Sequence, residues 1–582
     1  MTERSKPGHD NIGPTVAEAY LRHLGERGIE YILANAGTDF PPIIEALTRA
    51  AEEATPTPKA LAIPHENLAI AMAHGHTMVS GRPQTVMLHV NVGTANAICG
   101  LLNAARERIP MMVATGRTPF TDAGHEGSRS LYIHWGQEMF DQAAMLREIV
   151  KWDYELKLPD QVGQAVERAF ALAESEPKGP VYLTLPRETL AAHLPADYGK
   201  AHRAQASARP AAPEKDAIAE AATLLAKAER PVIITSSVGR DFGAVRALES
   251  IAERFALPVV CHIPKTYCLS TAHKMHFGFD PAPFLAEADV VIVIECDVPW
   301  VPSRAAPRAD ARIVHIGADP LFGRYPMRTF PADLALTGDA RTALEMLESA
   351  LEVKGAVLKS KVDARRPRLA AKRKAMREKI EEDLTRFSRE TPIHPAAVSR
   401  AIDRVRGEDG ILVNELGVLV DFMHFTKPGT YFSSSSAGGL GWGLGAALGA
   451  KLASPERLVI AAIGDGSYMF GNPTPAHYIS RAHDLPILYV VMNNAGWAAV
   501  RKATETMYPD GRSLRANRMP LSTLEPSPAF EKVVEASGGY GERVETLEDL
   551  APAFERAMHA IKVEKRQALL NVNCGVPAVR NF

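Results

Sequence analysis

Residues 458–501 read LVIAAIGDGSYMFGNPTPAHYISRAHDLPILYVVMNNAGWAAVR. The apolar run Leu458 to Ile463 reads as a buried strand, Pro475 to Arg481 as a helix, and Pro486 to Met492 as a second buried strand. That is a βαβ unit. Such units are parallel and right-handed, so Asp465 and Asn494 both emerge at carboxyl ends of strands, where an open α/β sheet binds ligands.

The residue types at that edge suggest a particular chemistry. Asp465 supplies a carboxylate, Asn494 a neutral amide oxygen, and Gly466 with Ser467 backbone N–H groups in a tight turn. This set suits a hard cation holding phosphate. Mg²⁺ takes a few protein oxygens with phosphate oxygens and water, and the carbonyl of Gly496 completes a plausible shell. The plain alternative is a Gly-Asp turn beside an unrelated pair of asparagines. GDGS, an intervening helix and NN after a second strand together speak against it.

This pattern resembles the thiamine diphosphate enzymes, whose signature is GDG, a spacer of this kind, then NN. The resemblance implies thiamine diphosphate and Mg²⁺ as cofactors, with Asp465, Asn494 and the carbonyl of Gly496 as metal ligands. It also places Gly466, Ser467 and Trp497 at the cofactor. The spacer is longer than in the benzoylformate decarboxylase branch, around GNPTP, so a different helix entry is expected.

Bulk properties exclude other classes. In 582 residues, acids and bases nearly balance to a net charge of -2, which argues against a nucleic-acid surface or a polybasic membrane patch. No apolar run approaches a membrane span, and MTERSKPGHDNIGP lacks the hydrophobic core of a secretory signal. A cytoplasmic location is expected. Five scattered cysteines show neither metal-type spacing nor a disulfide framework.

Strands and helices alternate along the chain, and the strands are apolar throughout, which predicts parallel sheets covered on both faces. The expected fold class is α/β with three doubly wound parallel-sheet domains. The first spans 1–190, followed by an Ala- and Pro-rich linker over 191–213. A central domain spans 214–352, a charged linker helix 353–390, and the last domain 391–582. By resemblance these are a pyrimidine-binding, a central and a diphosphate-binding domain. In this family the cofactor lies between the first domain of one subunit and the third of its partner, which implies a homodimer as the minimal active unit and a homotetramer as the expected assembly.

Glu66 opens a helix after the strand ALAIP, where an acid is ordinarily favoured by the helix dipole. HENLAIAMAHGH resembles the motif whose glutamate touches N1′ of the aminopyrimidine, which implies that Glu66 moves that proton. Ala437-Gly438-Gly439-Leu440-Gly441-Trp442 reads as a helix N-terminus whose glycines admit a planar ligand. The resemblance assigns the 4′-amino group to the carbonyl of Gly438, beside Gly439, and makes Leu440 the apolar wedge under the cofactor. Asn414, Leu416, Gly417 and Val418 should border the diphosphate.

His89 ends the strand TVMLHV, before a turn NVGT. A histidine in an apolar strand is also an ordinary core residue. The stretch from Glu66 to His89 aligns without a gap on the benzoylformate decarboxylase branch, which has a catalytic histidine here, so a proton relay is expected of His89. Thr38 falls where that branch has an active-site serine. Gln137 in HWGQEMFDQ resembles the glutamine of the acetolactate synthase and pyruvate oxidase branch, with His134 close by. The decarboxylases' second histidine has no counterpart: the stretch reads IECDVPWVPSR, with Trp300 and Pro302.

The expected activity is non-oxidative decarboxylation of a small-molecule 2-oxo acid, supported by His89. An acetolactate-synthase-like carboligase, favoured by Gln137, is the alternative, with a 2-hydroxyacyl-CoA lyase as a lesser one. A silent cofactor-binding scaffold is the non-enzymatic reading, against which Glu66, Asp465 and Asn494 all stand. FAD is not expected, because the turn SSVGRDFG lacks the glycine cluster of FAD-containing relatives. Ala499 and Val500 constrain substrate size only loosely.

Overall fold

The computed structural model describes residues 12–199, 203–516 and 518–575. Contacts divide the chain into two compact units, Met1–Arg209 with Ser435–Ala453, and Pro210–Ser434 with Ser454–Phe582.

The first unit opens with β1 (Ile12–Thr15) and continues through β2 (Tyr31–Asn35), β3 (Lys59–Ala62), β4 (Thr85–Leu88), β5 (Met111–Arg117), β6 (Asp153–Glu155) and β7 (Pro180–Pro186) to β8 (His193–Pro195). Six of these form a sheet in the order β3-β2-β4-β5-β7-β6, every pair parallel. Strand β8 lies in the span expected as a surface linker, yet it pairs antiparallel with β1. The chain leaves β2 to one side for β3 and returns on the other side for β4, so a crevice opens beyond the carboxyl ends of β2 and β4.

Ser435–Ala453 falls within the span expected for the third domain but packs with the first unit. Glycines explain the packing. The helix Trp442–Ala453 crosses the helix Glu66–Ser80 almost backbone to backbone. A Cβ on Gly75 would lie 2.0 Å from the Ala446 carbonyl oxygen, and one on Gly449 1.9 Å from that of Met72. Larger residues would push the helices apart.

The second unit carries two more parallel sheets. The central one comprises β9 (Pro231–Thr235), β10 (Val259–Cys261), β11 (Val290–Ile294), β12 (Arg312–Gly317) and β13 (Leu334–Thr337), ordered β10-β9-β11-β12-β13. The last comprises β14 (Ile411–Glu415), β15 (Tyr431–Ser433), β16 (Val459–Gly464), β17 (Leu488–Asn493), β18 (Tyr540–Val544) and β19 (Ala568–Asn573), ordered β15-β14-β16-β17-β19-β18. The strand order reverses between β9 and β11 and again between β14 and β16, which places one crevice on each sheet. The three-sheet α/β architecture expected from the alternation is present.

The charged stretch forms one helix, Gly355–Phe387. Its buried Arg365 donates to the carbonyls of Leu225 and Phe255 at 3.2 and 3.3 Å and also to that of Ala228. Those carbonyls lie at the ends of the helices Lys215–Lys227 and Phe242–Phe255, where carbonyls lack helical partners and a cation is favoured.

Candidate active site

In the first unit, the crevice between β2 and β4 gathers Thr38, Asp39 and His89. His89 does not precede a turn, as the sequence suggested. It is the N-cap of a helix, Val90–Arg106, that begins at once. Val90 holds φ +33°, a conformation that β-branched residues avoid and that surrounding structure must enforce.

His89 Nδ1 lies 2.5 Å from Asp39 Oδ1, while Asp39 Oδ2 accepts from the Val90 N–H at 3.4 Å. Two glycines make room for this pair. A Cβ on Gly37 would sit 2.1 Å from His89 Nδ1, and one on Gly116 1.6 Å from Asp39 Oδ2. On the other side of the ring, the Gln137 amide Nε2 approaches His89 Nε2 at 3.3 Å. Gln137 Oε1 is buried and makes no hydrogen bond. The structure thus brings His89 and Gln137 together, with Gln137 at the end of the single-turn helix Ile133–Gly136.

His134 lies beside them. Its Nδ1 accepts from the backbone N–H groups of Ser130 and Leu131 at 3.1 and 3.4 Å, and its Nε2 approaches Thr38 Oγ1 at 3.4 Å. An Nδ1 that accepts carries no proton, so the neutral ring holds its proton on Nε2 and donates to Thr38. Burial, then the charges of Arg187 and Arg129, lowers the pKa of His134. Arg187 holds this loop through the carbonyls of Gly127 at 2.7 Å and Thr38 at 3.0 Å, and through that of Ser128.

Glu66 begins its helix as expected, with His65 as N-cap. The carboxylate is half-buried and accepts from Asn96 Nδ2 at 3.1 Å. In the same unit Gly438 takes φ +69°, and Gly439 is gripped by Asn103, whose Nδ2 donates to its carbonyl at 2.8 Å and whose Oδ1 accepts its N–H at 3.1 Å. That clasp fixes the bend in which the Gly438 carbonyl and Leu440 stand, and nothing in the sequence singled out Asn103.

In the second unit the crevice between β14 and β16 holds the GDGS segment. It is not a simple turn: Asp465–Phe470 is a short helix that ends at Gly471, and Asn472 at φ +49° precedes the helix Pro473–Ala482. The insert GNP therefore separates two helices where one was expected. Asp465 is 2 % exposed and accepts from the N–H groups of Gly466 at 2.9 Å and Gly496 at 3.1 Å. Burial raises its pKa, against the pull of backbone N–H groups of Gly466, Gly496, Asn494 and Ala495. Ser467 Oγ is buried without a hydrogen-bond partner.

The two asparagines divide their work. Asn493 is committed to the scaffold, donating to Ser527 Oγ at 2.8 Å and Asn571 Oδ1 at 2.9 Å and accepting from the Ala495 N–H at 3.0 Å. Asn494 takes no part in that network and is half-buried. The Trp497 ring covers Gly466 so closely that a Cβ there would lie 2.4 Å from Cζ3. Across the crevice, Asn414 Oδ1 accepts from Gly417 and Val418 N–H at 3.0 and 3.1 Å. Gly417 rests on β16, where a Cβ would meet the Ala462 carbonyl carbon at 2.4 Å, and Leu416 holds φ +58°.

A buried carboxylate, an uncommitted amide, an unpartnered hydroxyl and a loop of backbone N–H groups are hard oxygen donors beside anion-binding amides. This set fits Mg²⁺ with a diphosphate and does not fit a thiolate or imidazole metal site. No cluster of three or more His, Cys, Asp or Glu side chains able to hold a metal occurs among the described residues.

In the central sheet, the Glu295 carbonyl accepts from the Ser237 N–H and Ser236 Oγ, each at 3.1 Å, and the Glu295 carboxylate pairs with Arg240 at 2.8 Å. Trp300, in the stretch that replaces a decarboxylase histidine, is a core residue with its ring edge-on to Phe330 at 5.2 Å. Ala499 and Val500 lie exposed on the helix Ala498–Met507.

Comparison with known proteins identifies three domains along the chain. Residues 14–145 match the family described as thiamine pyrophosphate enzyme, N-terminal TPP binding domain. Residues 218–347 match its central domain, and 416–572 its C-terminal TPP binding domain. The chain is 29 % identical over 457 residues to a benzoylformate decarboxylase of Pseudomonas aeruginosa, covering 75 % of this chain and 79 % of the relative. It is 24 % identical to acetolactate synthase isozyme 3 large subunit of Escherichia coli, covering 94 % and 92 %. Among solved structures, a thiamine diphosphate-dependent 4-hydroxybenzoylformate decarboxylase of Rhodococcus jostii superposes with a TM-score of 0.76 at 24 % identity, covering 97 % of this chain and 99 % of that one. With all three domain types in order along one chain, this protein belongs to the thiamine pyrophosphate enzyme family.

Proposed function

We propose that this enzyme decarboxylates a 2-oxo acid without oxidation, using thiamine diphosphate and Mg²⁺. The observation that supports the reading is His89, set directly after β4 at a strand-end crevice with Nδ1 2.5 Å from Asp39 Oδ1. When bound, thiamine diphosphate supplies the carbon nucleophile and the electron sink that let a carboxylate leave as CO₂. In the proposed assembly Asp465, Asn494 and the Gly496 carbonyl hold Mg²⁺, with Gly466, Ser467 and Trp497 beside it and Leu416 to Val418 along the diphosphate. The Gly438 carbonyl would accept from the 4′-amino group, and Leu440 would give the ring an apolar support.

His89 then serves at the substrate, exchanging a proton through Nε2 where oxygen gains negative charge. Thr38, with His134 donating to it, orients the substrate carboxylate. The proposal includes a homodimer or homotetramer in the cytoplasm and no FAD.

Carboligation is the second reading, favoured by coverage above 90 % of both chains in the match to the acetolactate synthase subunit. Incubating the enzyme with a panel of 2-oxo acids and determining product mass separates the two. Aldehyde as the product supports decarboxylation, and a hydroxy-oxo acid supports the alternative.

Glu66→Gln provides an internal check. The amide still offers an oxygen to Asn96 but exchanges no proton, and loss of general acid–base help lowers rate by about 10²- to 10⁴-fold. The variant is expected to bind thiamine diphosphate normally while hydrogen exchange at cofactor C2, followed by NMR, slows to that extent. Wild-type exchange would remove Glu66 from its assigned role.

A further inference from the structure

The pair at the bottom of the first crevice goes beyond the reading above, although it rests on that reading for the reaction it serves. We propose that Asp39 is a positioning residue for His89: it holds the ring proton on Nδ1, so that Nε2 is the nitrogen through which protons pass.

The geometry leaves one assignment. Asp39 Oδ1 is 2.5 Å from His89 Nδ1, and a carboxylate only accepts, so Nδ1 carries the hydrogen. On the far side the nearest group is the Gln137 Nε2 amide, which only donates, so Nε2 presents its lone pair. Both neighbours select the same tautomer. Neither could do so alone with equal force, because an amide can rotate and a carboxylate could bind either ring nitrogen.

The surroundings are shaped for the pair. Asp39 is 2 % exposed, and its second oxygen faces the Val90 N–H at the start of the helix Val90–Arg106, where negative charge is favoured. Gly37 and Gly116 lie so close that a methyl group on either would collide with the imidazole or the carboxylate. Val90 accepts φ +33° to turn the chain directly after His89. A backbone strained next to a half-buried imidazole held by a buried carboxylate marks a ring whose orientation matters. A histidine that merely filled the core would need none of these.

Gln137 adds a second element. Its Oε1 is buried without a partner. When Nε2 takes up a proton, a half-turn of the amide presents Oε1 to the new N–H, so one side chain accommodates both states of the ring. Asp39 keeps Nδ1–H throughout.

Two measurements test the proposal. The first needs no substrate. In ¹⁵N-histidine-labelled holoenzyme, the His89 signals, assigned by their loss in His89→Ala, are expected to report the Nδ1–H tautomer. In Asp39→Asn they are expected to shift toward Nε2–H, because an amide can donate to Nδ1. An Nε2–H wild-type ring would overturn the proposal.

The second is kinetic. Asp39→Ala is expected to lower kcat by about 10²- to 10³-fold with little change in KM or in thiamine diphosphate affinity. Added formate, which fits the space of the lost carboxylate, should restore part of the rate, whereas formamide should not. Full turnover in Asp39→Ala, or equal rescue by formamide, would overturn it. Should Asp39→Ala fail to fold, Asp39→Asn carries the kinetic test, and undiminished kcat there would overturn it. Absence of 2-oxo acid turnover in the wild type would instead refute the proposed reaction, leaving the tautomer measurement to judge Asp39.

Discussion

Asp465→Ala is expected to lose Mg²⁺ and thiamine diphosphate together, with affinity lower by about 100-fold or more in calorimetric titration. Outer-shell partners of a metal already contribute about 10- to 100-fold, and Asp465 is the one carboxylate in the proposed donor set. Its environment sharpens the expectation. Burial raises its pKa, and a carboxyl whose folded-state pKa exceeds its unfolded value weighs against the fold once pH passes that unfolded value, near 4. The stabilisation that cofactor and Mg²⁺ confer on the wild type should disappear in the variant, whose Gly466 and Gly496 N–H groups lose their acceptor. Asp465→Asn, which retains oxygen for the Gly466 and Gly496 N–H groups, should behave likewise. Unchanged affinity in either variant would contradict the site.

His89→Ala is expected to reduce turnover of a 2-oxo acid by about 10²- to 10⁴-fold, the usual effect of removing a positioned proton-transfer group. Cofactor affinity should be retained, since His89 is fixed by Asp39 and Gln137 and belongs to neither the Glu66 nor the Asp465 cluster. Were His89 only a core residue, its removal would lower the thermal midpoint and leave turnover per folded site unchanged. Steady-state rates and melting curves on one preparation separate the outcomes. An active but destabilised variant would redirect attention to His134.

The two halves of the candidate site differ in how far they can be read from the chain. Asp465, Gly466, Ser467, Asn494 and Gly496 lie within one βαβ unit, so strand periodicity alone brings them to one edge. Asp39 was invisible for the opposite reason. It lies 50 residues from His89, in the common-looking run GTDF, and its burial against Gly116 follows from the pairing of strands distant in sequence. An acid at the carboxyl end of the strand preceding a topological switch point is the signal that would have found it. Asn103 is similar, since its clasp on Gly439 spans 336 residues.

The local misreadings have local causes. Asn91 and Gly93 look like turn residues, so the chain after His89 reads as a turn with the helix starting later. Asp465-Gly466-Ser467 is made of turn formers, yet the next residue, Tyr468, is buried with its hydroxyl on His477, and the helical turn runs on until Gly471. Gly445 and Gly449, within the expected third domain, serve close helix packing onto Glu66–Ser80.

The central claim is the reaction, and its most direct test is stoichiometry. Wild-type enzyme supplied only with thiamine diphosphate and Mg²⁺, under anaerobic conditions and without FAD, is given a single 2-oxo acid that it turns over, and CO₂ and aldehyde are quantified together. The account predicts one aldehyde per CO₂, with no requirement for an oxidant or a second carbonyl substrate. Release of CO₂ with one hydroxy-oxo acid formed per two substrates consumed, or a requirement for an oxidant, would contradict it.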